Sequence, residues 1–338
     1  MNNVKIGDVW KSVSDIWVKI DGDWKKALKV SVKIDGSWKT SQLWGVWVTD
    51  SNWDQIVNYG GMAYTGIKDA IILTGGHNSR PSSGMYSSTG RDECYIFNGS
   101  SWSEASAMPG WKRYHCAFGY QASSVVTSGS KYTSQTFSLN YCQKTYKFNG
   151  TSWSTSGNSS SNRETPCSTG EQNAGLFGLG RWDTEDDFGY HKSTQKFNGS
   201  SWSSAGDVTP NGSDTRNMGG NSSAGILGGG SDSYMGYISK ITYLYNGSTW
   251  SSTTQMIRNC VGYMGCGPQN NFMATSGRPM GSSTAYLNSE VYNGTTWKID
   301  DASISQGFSN GYFGTGLTRE GAYVCSGTTS KVEKYIYG

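Results

Sequence analysis

Apolar residues in this chain occur in short β-prone runs, and Gly, Ser and Asn interrupt every run before a helical period can develop. One kind of run ends in glycine and recurs six times, at residues 70–76, 123–129, 174–180, 224–230, 272–277 and 322–327. Another short run precedes each copy, for example at residues 114–120. The pattern predicts an all-β protein with many short strands.

A six-residue motif of an aromatic residue, Asn-Gly, two small hydroxyl residues and Trp follows these runs. Its copies are residues 97–102, 148–153, 197–202, 245–250 and 292–297. Asn-Gly between β-prone runs predicts a hairpin with a type I′ turn, in which both central residues have positive φ. The Trp positions, 102, 153, 202, 250 and 297, differ by 51, 49, 48 and 47 residues. A repeat of this length is typical of propeller blades.

The two ends of the chain complete the pattern. Residues 334–338 match residues 94–98, so the last copy reaches its turn without a Trp strand after it. A Trp strand stands near the start at residues 45–49, and Trp47 lies 29 residues before Gly76, against 27 between Trp102 and Gly129. We therefore predict a six-bladed β-propeller over residues 43–338, closed by this N-terminal strand.

Residues 1–40 have a shorter period, in which Val-Lys-Ile and a later Trp-Lys pair recur every 14 residues, with Trp at 10, 24 and 38. Asp-Gly or Gly-Asp pairs between the runs predict a small β-meander. Forty residues of short strands bury too little apolar surface to stand alone. We expect this segment to dock on a partner, with Trp10, Trp17, Trp24 and Trp38 as the contact residues.

Composition narrows the functional class. The net charge of +3 is too small to indicate a nucleic-acid or membrane-surface partner, and no apolar run approaches the length of a membrane span. No secretion signal is recognisable, and the seven Cys are scattered without paired spacing. We expect a reduced protein that is assembled inside a cell, does not insert into membranes and carries no cofactor.

The blade layout resembles the kelch type of β-propeller, with Gly75-Gly76 and Gly229-Gly230 ending strands and a Trp about 20 to 25 residues later. The other copies depart from that pattern with Ser-Gly or Leu-Gly. Together with the N-terminal Val-Lys-Ile-Asp-Gly-x-Trp-Lys units, the Asn-Gly variant resembles kelch-like proteins of tailed bacteriophages.

The resemblance implies a non-enzymatic structural and adhesion component of a virion, tail-associated and assembled in the host cytoplasm in multiple copies per particle. Residues 1–40 would bind other tail proteins, and the propeller would bind a host surface glycan or a neighbouring virion protein. A carbohydrate-active enzyme and a bacterial surface or secreted interaction module remain alternatives, because a fold does not determine a function.

Candidate ligand contacts lie in the connections after the Gly-terminated strands, which differ in length and content, whereas the Asn-Gly turns are uniform. These connections are residues 77–92, 130–143, 181–192, 231–239, 278–289 and 328–330. The side of the propeller that they form is called the loop face below, and variable aromatic loops are typical of binding surfaces. The candidates are Tyr86, Tyr132, Phe137, Tyr141, Trp182, Phe188, Tyr190, Tyr234, Tyr237 and Tyr286.

Four arginines recur 8 to 14 residues after the preceding Trp, near the expected channel mouth: Arg113, Arg163, Arg216 and Arg258. They are candidates for an anion site that binds sugar acids or phosphate. The alternative is a structural role, in which buried guanidinium groups bond loop carbonyls or stack on a ring.

No catalytic or metal site is predicted. Asp183, Glu185, Asp186 and Asp187 match no EF-hand spacing and indicate a solvated loop rather than a calcium site. The three histidines, at positions 77, 115 and 191, lie in three different blades. Copper-oxidase ligand sets, sialidase boxes, nucleophile elbows and phosphate loops are not recognisable.

Overall fold

The computed structural model describes residues 2–6, 9–13, 17–20, 23–26, 29–34, 37–42, 45–52, 59–60, 62–67, 69–78, 90–132, 139–183, 188–208, 217–231, 239–279, 282, 284–305, 323–325 and 331–337. Side chains are described from residue 62 onward, except at residues 77–78, 131–132, 139–141, 183, 188, 301–302, 323–325, 331–332, 334 and 336–337. Every regular element among these residues is a β-strand, and none of them forms a helix that could cross a membrane.

The N-terminal segment forms three separate two-stranded hairpins: β1 (Asn2–Ile6) with β2 (Val9–Val13), β3 (Trp17–Ile20) with β4 (Asp23–Lys26), and β5 (Lys29–Ile34) with β6 (Ser37–Gln42). Their registers repeat, with Lys5 opposite Trp10, Lys19 opposite Trp24 and Lys33 opposite Trp38. Among the described strands no pair joins one hairpin to the next, so the structure gives three hairpins where the sequence predicts a small β-meander.

After β7 (Gly45–Asn52), the first large sheet is built from β9 (Ala63–Ile67), β10 (Ala70–Thr74), β12 (Cys94–Phe97) and β13 (Trp102–Ala105), and the short pair β8 (Tyr59–Gly60) and β11 (His77–Asn78) lies beside it in sequence. The second sheet comprises β14 (Cys116–Tyr120), β15 (Ser123–Thr127), β18 (Thr145–Phe148) and β19 (Trp153–Ser156), with the hairpin β16 (Ser130–Tyr132) and β17 (Leu139–Tyr141) in its loop.

The third sheet comprises β20 (Cys167–Glu171), β21 (Ala174–Gly178), β24 (Ser193–Phe197) and β25 (Trp202–Asp207), with the loop hairpin β22 (Arg181–Asp183) and β23 (Phe188–Tyr190). The fourth comprises β26 (Asn217–Gly220), β27 (Gly225–Gly228), β28 (Thr242–Tyr245) and β29 (Trp250–Thr253). The fifth comprises β30 (Val261–Cys266), β31 (Phe272–Arg278), β32 (Asn288–Tyr292) and β33 (Trp297–Ser303).

These five sheets are blades of a β-propeller. Each is an antiparallel sheet in chain order, and the first strands β9, β14, β20, β26 and β30 follow one another as neighbours around an axis. Side chains tie them together, as when Thr65 Oγ1 donates to the Gly119 carbonyl at 2.7 Å. The Tyr64 hydroxyl in β9 lies 3.8 Å from the Met264 sulfur in β30, so the first and fifth blades also meet.

A sixth sheet joins the two ends of the chain. It contains β34 (Tyr323–Cys325), β35 (Lys331–Tyr337) and the N-terminal strand β7, in that order. Tyr335 is 1% exposed and packs with Cys266, Met273 and Val291 of the fifth blade. The described residues thus form five four-stranded blades rather than the predicted six, together with one three-stranded sheet. The innermost strand expected at residues 310–314 lies outside the described residues.

The register of the sixth sheet corrects the alignment of the C-terminus. Trp47 pairs with Tyr335, as Trp297 pairs with Tyr292. Tyr335, and not Tyr337, therefore occupies the position of Phe97, and the match of residues 334–338 with 94–98 is wrong by two residues. The predicted pairing of the Trp47 strand with the last strand of the chain is confirmed.

The Asn-Gly motifs form hairpin turns as expected, but the turn type differs from the prediction. Positive φ is confined to the glycine, with values from 92° to 97° at positions 99, 150, 199, 247 and 294. In the first copy Asn98 Oδ1 accepts hydrogen bonds from the backbone N–H groups of Ser100 and Ser101, at 3.0 and 2.9 Å. The asparagine closes each turn through its side chain, so it needs no positive φ of its own.

The Trp residues connect neighbouring blades. The indole Nε1 of Trp202, Trp250 and Trp297 donates to a threonine hydroxyl of the preceding blade, at Thr145, Thr194 and Thr242, each at 2.9 Å. Cys94 stands at the threonine position of the first blade, and Trp153 donates instead to the Ser106 carbonyl at 2.8 Å. The repeated motif is therefore structural: its turn joins two strands of one blade, and its Trp fastens that blade to the preceding one.

Candidate functional site

Each described loop of the loop face starts from the same backbone conformation. Two consecutive residues with positive φ end the second strand of every blade, the first between 57° and 63° and the second, always glycine, between 78° and 99°. The pairs are Gly75-Gly76, Ser128-Gly129, Leu179-Gly180, Gly229-Gly230 and Ser276-Gly277. The Gly-Gly, Ser-Gly and Leu-Gly pairs therefore differ in sequence but share one left-handed backbone conformation.

Each loop also returns to that glycine. Its carbonyl accepts the N–H of the residue at which the loop ends, at 2.8 to 2.9 Å, and these residues are Arg91, Cys142, His191, Ser239 and Tyr286. Loops of different length thus begin and end at the same two points of the blade. Sequence can vary between those points without disturbing the blade below.

Glycine is required at the second position of the pair because backbones crowd there. A Cβ on Gly180 would lie 2.5 Å from the Glu164 carbonyl oxygen, and its φ is +85°. A Cβ on Gly129 would lie 2.6 Å from the Arg113 carbonyl oxygen. This confirms the expected crowding at the ends of these strands, since each carbonyl lies on the segment that leads into the first strand of the same blade.

The loop of the third blade carries the best-described aromatic candidates. Trp182 in β22 pairs with Gly189 in β23, and a Cβ on Gly189 would meet the indole ring at 2.6 Å. The indole ring therefore packs against the glycine, where a side chain would not fit, and it is partly exposed. Tyr190 pairs with Arg181 on the same hairpin and is also partly exposed.

The remaining aromatic candidates divide into two groups. Tyr286 is partly exposed and ends the loop of the fifth blade. The side chains or whole residues of the others lie outside the described part of the chain: Tyr86, Tyr132, Phe137, Tyr141, Phe188, Tyr234 and Tyr237. The Asp183 side chain and residues 185–187 lie outside it as well.

Arg163 is a structural residue. It is fully buried, and Nε and both terminal nitrogens donate to Ser161 Oγ, the Leu179 carbonyl and both oxygens of Ser193. These bonds occupy all five N–H donors of a guanidinium. Its Cζ also lies 4.9 Å from the centre of the Phe177 ring. Burial lowers the pKa of this guanidinium to about 10, and no donor remains for a ligand.

Arg113 belongs to an ion cluster between the second and third blades. The buried Glu164 carboxylate lies 3.9 Å from Arg113 and 3.2 Å from Arg181, and accepts a hydrogen bond from Ser130 Oγ. Arg113 Nε donates to the same Ser130 oxygen at 3.1 Å. The cluster fastens the loop bases of two blades and offers mainly the half-exposed Arg181 to solvent.

The predicted arginines do not occupy equivalent positions. The residue ten after each Trp presents its carbonyl to the loop-base glycine of the preceding blade, and it is Lys112, Arg163 or Cys260. Arg113 follows that position by one residue and Arg258 precedes it by two. Arg216 lies outside the described residues. The structure therefore does not bring the described arginines together as a ring.

Lys112 is a buried cation that sequence reasoning missed. Its ammonium is fully buried and donates to the carbonyls of Ser128 and Lys144, at 2.8 and 3.0 Å, and to the Cys142 sulfur at 3.3 Å. Burial lowers its pKa. The sequence does contain a signal for Lys112, because it lies ten residues after Trp102, as Arg163 lies ten residues after Trp153.

Arg258 differs from the other described arginines. Its side chain is 21% exposed, its Cζ lies 4.7 Å from the centre of the Tyr286 ring, and Nη2 donates to Asn288 Oδ1 at 3.4 Å. Two predicted site residues from different parts of the sequence are thus in contact. The guanidinium therefore lies over the ring, and part of the side chain remains exposed to solvent.

The described histidines and cysteines do not gather into a group that could hold a metal ion. No group of three or more His, Cys, Asp or Glu that could hold a metal occurs among the described residues. Burial lowers the pKa of His115 to about 3 and that of His191 to about 4, so both rings are neutral near pH 7. The six described cysteines are free thiols, and burial raises the pKa of Cys94 and Cys116 to about 12.

Comparison with known proteins supports the fold. No protein-family profile and no curated protein sequence matches the chain. Among solved structures, one described as the structure of YjhT superposes with a TM-score of 0.62 at 12% identity, covering 82% of this chain and 93% of that one. At this level of identity the likeness shows a β-propeller fold alone.

Proposed function

We propose that this protein is a non-enzymatic adhesion component of a tailed-phage virion, in which the loop face binds an anionic surface glycan of the host and residues 1–40 attach to the particle. The observation that supports the binding role is the shared geometry of the loop base, meaning the left-handed residue pair and the hydrogen bond to its glycine carbonyl. Five loops of different sequence begin at this pair and end at this hydrogen bond. Variable loops on a constant frame are the common arrangement of recognition surfaces.

The choice of the loop face follows from the contrast with the opposite side. The Asn-Gly turns repeat one geometry in all five described copies, and their asparagine oxygens bond only within their own turns. The loop face instead carries the partly exposed Trp182, Tyr190 and Tyr286 together with Arg181, Lys240 and Arg258. Aromatic rings stack on sugars, and guanidinium groups bind carboxylates, so these side chains suit an acidic glycan.

The three-stranded sheet is proposed to be the sixth blade, completed by an innermost strand within residues 310–314. Two features support this count. Glu333 is 2% exposed and accepts the backbone N–H of Ser305, as Glu290 accepts those of Ile257 and Arg258 between the fourth and fifth blades. In addition, β33 of the fifth blade neighbours β7.

Docking of the N-terminal hairpins is proposed on grounds of stability. A two-stranded hairpin is marginal in water, and each of the three pairs only with itself among the described strands. Binding to other tail proteins, in several copies per particle, would supply the missing packing. The contact residues are Trp10, Trp17, Trp24 and Trp38.

Two other functions remain candidates: a carbohydrate-active enzyme that uses the channel mouth, and a bacterial surface or secreted module. Turnover of a polysaccharide by the purified chain, lost when carboxylates near the channel are replaced, would favour the enzyme over the adhesin.

The test of the proposed function combines location and binding. Antibodies raised against residues 43–338 should label the tail of phage particles in electron micrographs, and the purified chain should adsorb to the surface polysaccharide of the host. Replacement of Trp182 by Ala should reduce that adsorption about tenfold, whereas replacement of the exposed Thr155 on an outer strand should not. Particles that carry no label would refute the virion role.

A further inference from the structure

One corner of the loop face, between the fourth and fifth blades, combines cationic and apolar side chains. It is called the Arg258 corner and consists of Lys240, Ile257, Arg258, Tyr286, Leu287 and Glu290. Arg258 Nε lies 3.9 Å from a Glu290 oxygen and Nη2 bonds Asn288, whereas Nη1 has no hydrogen-bond partner among the residues that the structure describes. In contrast to Arg163, this guanidinium therefore retains donors for a ligand.

A second cation lies at the same corner. Lys240 Nζ donates to the carbonyl of Ile257, the residue before Arg258, at 2.8 Å. That is the single hydrogen bond of this ammonium among the described residues, so two of its three donors point elsewhere. The two positive groups are thus tied to consecutive residues of one connection.

The corner is held in place from below by a buried carboxylate. Glu290 is 3% exposed and accepts the backbone N–H groups of Ile257 and Arg258, both at 2.9 Å. Burial raises its pKa. The Glu290 carboxylate is the one acidic group of the corner, and it faces the two cations Arg258 and Lys240. The corner therefore has a surplus of positive charge that an anionic ligand would complement.

Two exposed aliphatic side chains flank these cations. Ile257 is 44% exposed and Leu287 is 45% exposed, which places both among the few large apolar side chains that the described residues leave in solvent. Leu287 adjoins Tyr286, and Ile257 adjoins Arg258. Apolar surface therefore occurs on residues that adjoin the cation Arg258 and the ring that it contacts.

We propose that the Arg258 corner is a subsite for a carboxylate-bearing sugar residue, of the uronic or sialic acid class, within an anionic glycan; this inference rests on the proposed function. The carboxylate binds Arg258 Nη1 and Lys240 Nζ, and the C–H face of the sugar packs on Leu287 and Ile257. A sugar acid fits because it joins one carboxylate to an apolar C–H face, which matches both features of the corner.

The experiment measures binding of the full chain to four polymers by biolayer interferometry: polygalacturonate, dextran sulfate, neutral dextran and polyglutamate. We expect binding to polygalacturonate that weakens with salt, and weak or no binding to dextran. Arg258→Gln should weaken polygalacturonate binding at least tenfold, and Lys240→Met about threefold to tenfold.

The matched control is Lys192→Met. Lys192 occupies the position of Lys240 in the preceding blade, since the backbone carbonyls of both accept the N–H at the end of the outer strand. Its ammonium pairs with Asp207 instead, 3.2 Å away, so its replacement should leave binding unchanged. Lys240→Met also tests the corner if Arg258→Gln fails to fold, because Lys240 contacts a single carbonyl and its replacement should leave the fold intact.

Several outcomes would overturn the inference, and they differ from failure of the proposed function. If the wild-type chain and both variants bind polygalacturonate equally, the glycan role stands and the Arg258 corner is not its subsite. If dextran sulfate or polyglutamate binds as tightly as polygalacturonate and is equally sensitive to Arg258→Gln, the site is not specific for sugar acids. If the wild-type chain binds no polygalacturonate, the sugar-acid subsite is refuted, while tail labelling still tests the virion role separately.

Discussion

Trp47 pairs with Tyr335 across the full length of the chain, in the same register in which Trp297 pairs with Tyr292 within the fifth blade. The ladder runs from Gly45 opposite Tyr337 to Asn52 opposite Lys331. Strand β7 is therefore part of the sheet that contains the C-terminal strand, although hairpins β1 to β6 precede it.

Truncation should separate these two parts. Removal of residues 1–42 deletes the hairpins and leaves β7, so the melting temperature of the propeller should change by less than about 3 °C. Removal of residues 1–52 also deletes β7 and exposes the edge of β35, which should cost several kcal/mol and lower the melting temperature by roughly 10 °C. Calorimetry of the two truncated chains tests this, and equal melting temperatures would contradict closure by β7.

The buried cluster around Glu164 should be sensitive to loss of its carboxylate. Glu164→Ala removes the buried carboxylate that faces Arg113 and Arg181 and accepts the Ser130 hydroxyl, so the free energy of unfolding should fall by about 3 to 5 kcal/mol. The control is Asp207→Ala, which breaks the half-exposed pair with Lys192 and should cost less than about 1 kcal/mol. Urea denaturation measures both, and similar midpoints would mean that Glu164 has no such role.

The crowding at the loop base can be distinguished from the cost of positive φ. Gly206 has φ +79° and no atom within 4 Å of an added Cβ, so Gly206→Ala should cost only about 1 to 2 kcal/mol for the left-handed conformation. Gly180→Ala adds a contact of 2.5 Å with the Glu164 carbonyl oxygen and should destabilise by clearly more. The difference between the two unfolding free energies measures the crowding, and no difference would show that the loop base can relax.

His115 makes stability depend on pH. Its pKa is lowered to about 3 in the folded state, first by burial and then by Lys112, against 6.5 for an ordinary histidine. The unfolded chain therefore binds a proton at a pH where the folded protein does not, and stability falls as pH decreases below 6.5. Between pH 7.5 and pH 5 the loss should be about 2 kcal/mol.

The control for this pH dependence is His115→Gln, which removes the titrating ring. Its unfolding free energy should change about 2 kcal/mol less than that of the wild type over the same interval, measured by urea denaturation at each pH. Parallel curves for the two proteins would show that other groups cause the dependence.

Repetition within the sequence predicted the strands and the closing Trp, because residues that fix backbone geometry must recur at the same place in every blade. The C-terminal match failed by two residues because it compared the letters of residues 334–338 with those of 94–98. The structure instead matches Glu333 and Tyr335 with Glu290 and Tyr292, through their contacts with the blade before.

The site was predicted less completely, because it depends on contacts between blades. Counting from the preceding Trp suggested that Arg113 and Arg163 are equivalent. Their spacings from that Trp differ by one residue, and as a result Arg113 lies beside Glu164 whereas Arg163 is fully buried. The contact between Arg258 and Tyr286 joins residues 28 positions apart, since 286 − 258 = 28, and no spacing rule reveals it. Ile257 and Leu287 became notable only when their exposure was known.

The closing ladder also has a mechanical consequence. Residues 1–42 lead into the propeller through β7, which is the outer strand of the sheet that joins the chain ends. A tensile force applied through the hairpins enters at Gly45 and acts along a strand that holds seven residue pairs with β35. The ladder that joins the two ends of the chain therefore also carries any force applied through the hairpins, and a pull strong enough to strip β7 from β35 would separate those ends.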